Sequence, residues 1–511
     1  MPMVGSPQEP AKFSEAMGLP ERDMWIRAMD DEMNSHAKNG TWELTQLPPN
    51  RKVIGSRWVY KIKENEDGDI VKFKARLVAQ GYNQKYGIDY DQVYAPVVSH
   101  TTLRTLLAVA GKKGYILNHF DIKTAYLYGQ LEEEVFMKQP LGYEVHGKEN
   151  YVCKLRRSIY GLKQSARCWN EKLVEVLAQL GFVRSSVDQC LFIKTLASNR
   201  KLYALVYVDN MLVVESGDGL IEETFRGLQR YFEVSNLGKA KYFLGLEIRQ
   251  DNGFYSISLR GYIEKLLSKY NMTDAKPSKT PMDVGYMQET DSVLLEDAEM
   301  YRSLIGALLF VAVNGRPDVA NPVGILGGKV SSPTEADWVA AKRVLRYLKA
   351  TCDWKLVLGS PEANCTGLVA YSDADWAGDV VTRKSTTGGV FFFNGGAINW
   401  ISQKQNSVSL STMEAEYFAL SEVCQKVLWI RRLLKDLNEE QDEPTIVYKD
   451  NQSCLSFVSS DRPSKRSKHI ETRQHFVKNL CDRRGVRLEY CPSDLMIADI
   501  LTKPLGTIKH Q

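Results

Sequence analysis

The stretch Leu202-Tyr203-Ala204-Leu205-Val206-Tyr207-Val208-Asp209-Asn210-Met211-Leu212-Val213-Val214 decides the reading of this chain. Two apolar runs flank a short polar break, the pattern of a tight β-hairpin with Asp209-Asn210 at its tip. Upstream, Tyr115-Ile116-Leu117-Asn118-His119-Phe120 reads as a strand ending at Asp121. A hairpin tip lying beside a strand end can bring both carboxylates to one spot. There they can hold a pair of divalent cations beside a 3′-hydroxyl and a triphosphate.

A second acidic set lies near the C-terminus. Val369-Ala370-Tyr371-Ser372-Asp373 and Ile446-Val447-Tyr448-Lys449-Asp450 each read as a strand ending in Asp. Between them, positions 416, 420, 423, 427, 430 and 434 recur at spacings of four and three. All are apolar except Glu416, so Glu416 begins the buried face of a helix. A carboxylate there is costly unless it is paired or bound to metal. Glu414 has a different expected role, because Ser411-Thr412-Met413-Glu414 matches a capping box. Asp499, in a short terminal helix, is placed to complete a cage.

Around these sites the chain divides into segments. Residues 1–22 form a proline-containing tail. Residues 23–250 open with a helix carrying Trp25, Met29 and Met33. An apolar-basic hairpin over 51–80 follows, turning at Asp67-Gly68, and then helices at 101–110 and 165–180. Residues 251–360 read as mostly helical, with a basic stripe of Lys342, Arg346 and Lys349. Residues 366–505 read as a separate α/β unit, set off by Gly359-Ser360-Pro361 and Asn364. In that unit Gly389–Phe393 and Ala397–Ile401 form a hairpin through Asn394-Gly395-Gly396.

The 511 residues are 44% hydrophobic and 25% charged, which excludes a wholly disordered chain. The net charge of +4 is too small to point to a polyanion, but its distribution is uneven. Residues 51–86 hold nine Lys/Arg against four Asp/Glu, and residues 462–487 nine against two, so either patch can neutralise backbone phosphates. Nine scattered Cys contain no C-x-x-C pair, which fits buried thiols in a reducing compartment. The apolar run Ile305 to Val313 is too short to span a bilayer, and no membrane partner is expected.

Further strings make a resemblance specific. They are Asn39-Gly40-Thr41-Trp42-Glu43-Leu44, Lys74-Ala75-Arg76-Leu77-Val78-Ala79-Gln80-Gly81, Asp121-Ile122-Lys123-Thr124-Ala125-Tyr126-Leu127, Leu162-Lys163-Gln164 and Tyr242-Phe243-Leu244-Gly245. With Tyr207-Val208-Asp209, they resemble the reverse transcriptase of copia-type LTR retrotransposons. Residues 366–505 resemble the RNase H of the same elements. The resemblance implies an α+β chain: a right-hand polymerase with fingers and an antiparallel palm sheet, a thumb or connecting region, and an RNase H-like domain.

It also implies roles. Asp121 and Asp209 would be metal ligands, Tyr126 the steric gate against a 2′-hydroxyl, Lys74 and Arg76 triphosphate contacts, and Gln164 a lining of the nucleotide pocket. Asp373, Glu416, Asp450 and Asp499 would form a D-E-D-D cage for cleaving RNA in RNA–DNA hybrids, with the basic patch, His469 and His475 along the hybrid. Each site would take two Mg²⁺, or Mn²⁺. The implied partners are an RNA template, a DNA primer, the hybrid, dNTPs, and other Pol products or a second copy. The implied location is the cytoplasm, in virus-like particles, or the nucleus. Residues 1–20 resemble the linker after integrase, as in a processed product, a truncated copy or part of an element.

One position departs from the pattern. The family motif is Y-V-D-D, and this chain has Asn210 in place of the second Asp. A unit charge lost at about 4 Å from a cation corresponds to ~4 kcal/mol at an effective dielectric of ~20, or roughly three decades in rate. The expectation is an impaired polymerase beside an intact RNase H. The alternative is a degenerate remnant that only binds nucleic acid or serves as a structural subunit.

Overall fold

The computed structural model describes residues 8–64, 69–197, 200–215, 219–251, 253–286, 292–359, 367–459 and 471–510. The Asp67-Gly68 turn, the 360–366 boundary, and the part of the basic patch containing His469 lie outside the described residues.

The apolar runs around Asp209 form the centre of a six-stranded antiparallel sheet. Its order is Val234–Lys239, Ile116–Ile122, Asn210–Glu215, Lys201–Tyr207, Leu191–Thr195, Val183–Arg184. Tyr207 pairs with Asn210, so the two-residue tip is Val208-Asp209 and Asn210 is the first strand residue. This corrects the expected tip of Asp209-Asn210. Val208 takes a φ of 54°, a left-handed value that is strained for a β-branched residue. The Trp169 indole donates to the Val208 carbonyl at 2.7 Å and holds that turn.

On one side stand the fingers. Ser56–Glu64 pairs with Ile70–Ala79, and a four-stranded sheet of Trp42–Thr45, Val152–Leu155, Phe136–Lys138 and Val53–Ile54 lies near them. The helix Arg22–Asn39 inserts Trp25 and Met29 beneath the hairpin. A further sheet joins Tyr242–Phe243, Leu246–Asp251, Phe254–Ser258 and Lys355–Leu358. The expected division at 250–251 falls within a hairpin of this sheet, because Asp251 pairs with Phe254. Strand pairing thus ties both ends of the helical 260–350 region together.

The C-terminal unit is a five-stranded mixed sheet. Its order is Gly396–Lys404, Thr386–Phe393, Val369–Ala374, Thr445–Lys449, Val486–Tyr490, the last three parallel. The helix Thr412–Asp436 crosses it, burying Leu420, Val423, Val427, Ile430 and Leu434 as the spacing predicts. One apolar cluster runs from Leu103, Leu106 and Leu107 of the His100–Lys113 helix into this unit. Buried Arg104 donates to the Ile398 and Val313 carbonyls at 2.8 and 2.9 Å and stacks 4.0 Å from the Trp400 ring. Among the described residues no helix is long and apolar enough to cross a membrane.

Candidate active sites

Asp121 and Asn210 are direct partners on adjacent strands, and the Asp209 carbonyl accepts from Ile122 N at 2.8 Å. The sheet register therefore places Asp121 and Asp209 side by side. Asn210 is fully engaged: its Nδ2 donates to Asp209 Oδ1 at 2.8 Å, and its Oδ1 lies 2.8 Å from His119 Nε2. One Asp209 oxygen thus faces an amide where the family pattern puts a second carboxylate.

Lys74 and Arg76 share one pleat face of the fingers hairpin, as expected from alternation. Burial holds Lys74 below its usual range, with Arg76 and Lys63 adding to the effect, while Asp121 pulls the other way. The Arg76 guanidinium sits 4.5 Å from the Tyr160 ring, and Tyr160 meets Tyr126 edge-on at 4.8 Å. Burial raises the Tyr126 hydroxyl, and Asp209 raises it further. Tyr126, Arg76 and Asp209 therefore share one neighbourhood. Tyr160, which links two of them, was missed, and nothing in its local sequence marks it.

Gln164 is placed differently from the expectation. It has no exposed surface, its Nε2 donates to the Asp89 carbonyl at 2.8 Å, and its Oε1 accepts from Gln84 at 3.0 Å. Through these two bonds its buried amide braces the 84–89 loop. In the 51–86 patch, Arg51, Lys61 and Lys72 pair with Glu134, Glu9 and Asp31. His475 lines a groove with Arg432, Phe476 and Arg483.

In the C-terminal unit, one oxygen each of Asp373, Glu416 and Asp450 lie within 4.8 Å of one another. Asp373 Oδ2 accepts from Thr502 Oγ1 at 2.7 Å, and Asp450 Oδ2 from Ser493 Oγ at 3.0 Å. Asp450 Oδ1 is buried with no hydrogen-bond partner, an oxygen that a cation would satisfy. By that test the three carboxylates fit a divalent ion. Burial raises Asp373 and lifts Glu416 to about 7. Glu414 caps instead: its N donates to Ser411 Oγ at 3.2 Å, and its carboxylate accepts from Leu410 N at 2.8 Å.

Asp499 stands beside Asp373 but outside the group of three. It is paired with Lys503 at 2.8 Å and with Lys509, and these two lysines outweigh burial to hold it below the usual range. The residue most clearly missed is Lys449. It is wholly buried, pairs with Glu416, and donates to the Ser372 carbonyl at 2.9 Å. Strand alternation carried the signal, since Thr445, Val447 and Lys449 share the inward face.

An antiparallel palm sheet with Asp at a strained hairpin tip, joined to a five-stranded mixed sheet bearing three convergent carboxylates, defines a class: a right-hand polymerase with an RNase H-like domain. A family model described as reverse transcriptase (RNA-dependent DNA polymerase) matches residues 39–284. The chain is 37% identical over its whole length to a retrovirus-related Pol polyprotein from transposon TNT 1-94 of Nicotiana tabacum, of which it spans 39%. It is 33% identical, over 60% of itself, to the full length of a putative transposon Ty5-1 protein of Saccharomyces cerevisiae. A foamy viral protease-reverse transcriptase solved in complex with dsDNA aligns over 92% of this chain and 83% of its own, at 13% identity and a TM-score of 0.48. The chain belongs to the reverse transcriptase family of copia-type retrotransposon Pol polyproteins.

Proposed function

We propose that this chain cleaves the RNA strand of RNA–DNA hybrids at Asp373, Glu416 and Asp450, and that it carries an RNA-directed DNA polymerase centre weakened by Asn210. The observation that supports it most is the 4.8 Å convergence of three carboxylates from two strand ends and one helix. Bound Mg²⁺, two ions per site, would supply Lewis-acid stabilisation of the phosphodiester and lower the pKa of a ligated water. The chain's own residues orient the ligands: Thr502 aligns Asp373 and Ser493 aligns Asp450. Asp499 would act beside Asp373 once its lysines release it. In the polymerase centre Asp121 and Asp209 would hold the ions, Lys74 and Arg76 the triphosphate, and Tyr126 the sugar edge. Template, primer, hybrid and dNTPs are the proposed ligands, and the cytoplasm, in particles, the proposed location.

The test is Mg²⁺-dependent cleavage of labelled hybrid RNA by the purified chain, with Asp373→Ala and Asp450→Ala as controls. Cleavage that survives in both variants would refute the reading. A second reading is a non-catalytic subunit that supports another copy. The Asn210 amide on Asp209 favours it for the polymerase half. Mixing the chain with an active partner and measuring extension separates the two.

A further inference from the structure

Lys449 is the charged side chain in the C-terminal centre for which a three-carboxylate metal site has no use. It has no exposed surface, lies one residue before Asp450, and reaches across to Glu416 and to the carbonyl of Ser372, the residue before Asp373. Its ammonium therefore sits between the helix that carries Glu416 and the strand that carries Asp373. The other nearby lysines, Lys503 and Lys509, are taken up by Asp499. A fixed ammonium and a divalent ion compete for the same oxygen and the same charge compensation.

We infer that Lys449 is a built-in counter-cation of this centre: its ammonium stands in for part of the metal's charge, so the carboxylates stay folded together without an ion and bind a divalent ion weakly. The inference rests on the reading of Asp373, Glu416 and Asp450 as a metal site and adds what sets that site's affinity. It also assigns the Glu416 oxygen facing Lys449 as the one the ion must win. Methionine at this position keeps an unbranched apolar stem and removes the charge.

The experiment titrates Mn²⁺ calorimetrically into the full chain, its Lys449→Met variant, and each of these carrying Asp373→Asn. The Asp373-dependent heat isolates this centre from the polymerase site. Lys449→Met should tighten that binding by about 10- to 100-fold, the range for groups that tune metal ligands. Without metal, Lys449→Met should melt below the parent chain, and saturating Mn²⁺ should raise its melting temperature more than the parent's. Equal Asp373-dependent affinity in both chains overturns the inference and leaves the metal site standing. No Asp373-dependent heat in either chain removes the site and the inference together. If Lys449→Met does not fold, Lys449→Gln, which keeps a hydrogen-bond donor, takes its place under the same criteria.

Discussion

Asn210 and Asp121 face each other across adjacent antiparallel strands of the palm sheet. Because Asn210 is a strand residue and not a turn residue, its side chain is held against Asp209 and His119. Asn210→Asp would exchange a donor toward Asp209 for a third negative charge. Primer extension should rise by roughly three decades, in line with ~4 kcal/mol of cation stabilisation at about 4 Å. Equal extension rates for the two chains would sink this prediction.

Arg104, on the His100–Lys113 helix, ties that helix to the C-terminal sheet through the Ile398 carbonyl and the Trp400 ring, and to the Ala298–Asn314 helix through the Val313 carbonyl. Burial alone pulls this guanidinium down to about 9. Arg104→Met would leave the Ile398 and Val313 carbonyls without this donor. The expected loss is about 3 kcal/mol or more. Calorimetry should show the single melting transition broaden or split as the two units uncouple. An unchanged single transition would count against a coupling role.

Asp375, two residues after Asp373, offers a pH readout in the C-terminal unit. Burial raises its carboxyl to about 6, despite hydrogen bonds from Thr386. Its folded-state pKa exceeds the unfolded value, so the folded chain binds the extra proton in that window. The group's contribution is therefore present at low pH and is lost as pH rises from about 4 to about 6. Asp375→Asn should flatten that part of the stability-against-pH curve measured by urea unfolding, and an unchanged slope would refute the assignment.

Gly388 lies on the strand opposite Asp373. A Cβ there would meet Thr502 Cγ2 at 2.5 Å and the Ala498 carbonyl at 2.9 Å. Gly388→Ala should push the Ile497–Leu501 turn away and loosen the Thr502 bond to Asp373. Hybrid cleavage should fall about tenfold, the scale of a disturbed outer-shell partner, while primer extension is unaffected. A parallel loss of both activities would point to global unfolding instead.

Much of this molecule was legible in its residues. Apolar runs ending in Asp marked Asp121, Asp209, Asp373 and Asp450, because period-two and period-3.6 patterns record which side is buried. The helix spacing separated Glu416 from the capping Glu414 on the same grounds. Motif strings carried the family, and Asn210 is visible as a departure within one of them.

Side-chain partnership was not legible, because it depends on groups distant in the chain. Gln164 reads as pocket lining until Gln84 and Asp89 are seen to occupy its amide. Asp499 reads as a fourth ligand, and only the structure shows Lys503 and Lys509 paired with it. Nor does the sequence show that the Leu246–Asp251 strand pairs forward with Phe254–Ser258, and that strand in turn with Lys355–Leu358, so that one sheet crosses position 250–251. Local pattern alone determined which residues are buried and which strands end in acid. Only the tertiary structure decided which charges compensate one another, since Coulombic pairing follows distance in space and not separation along the chain.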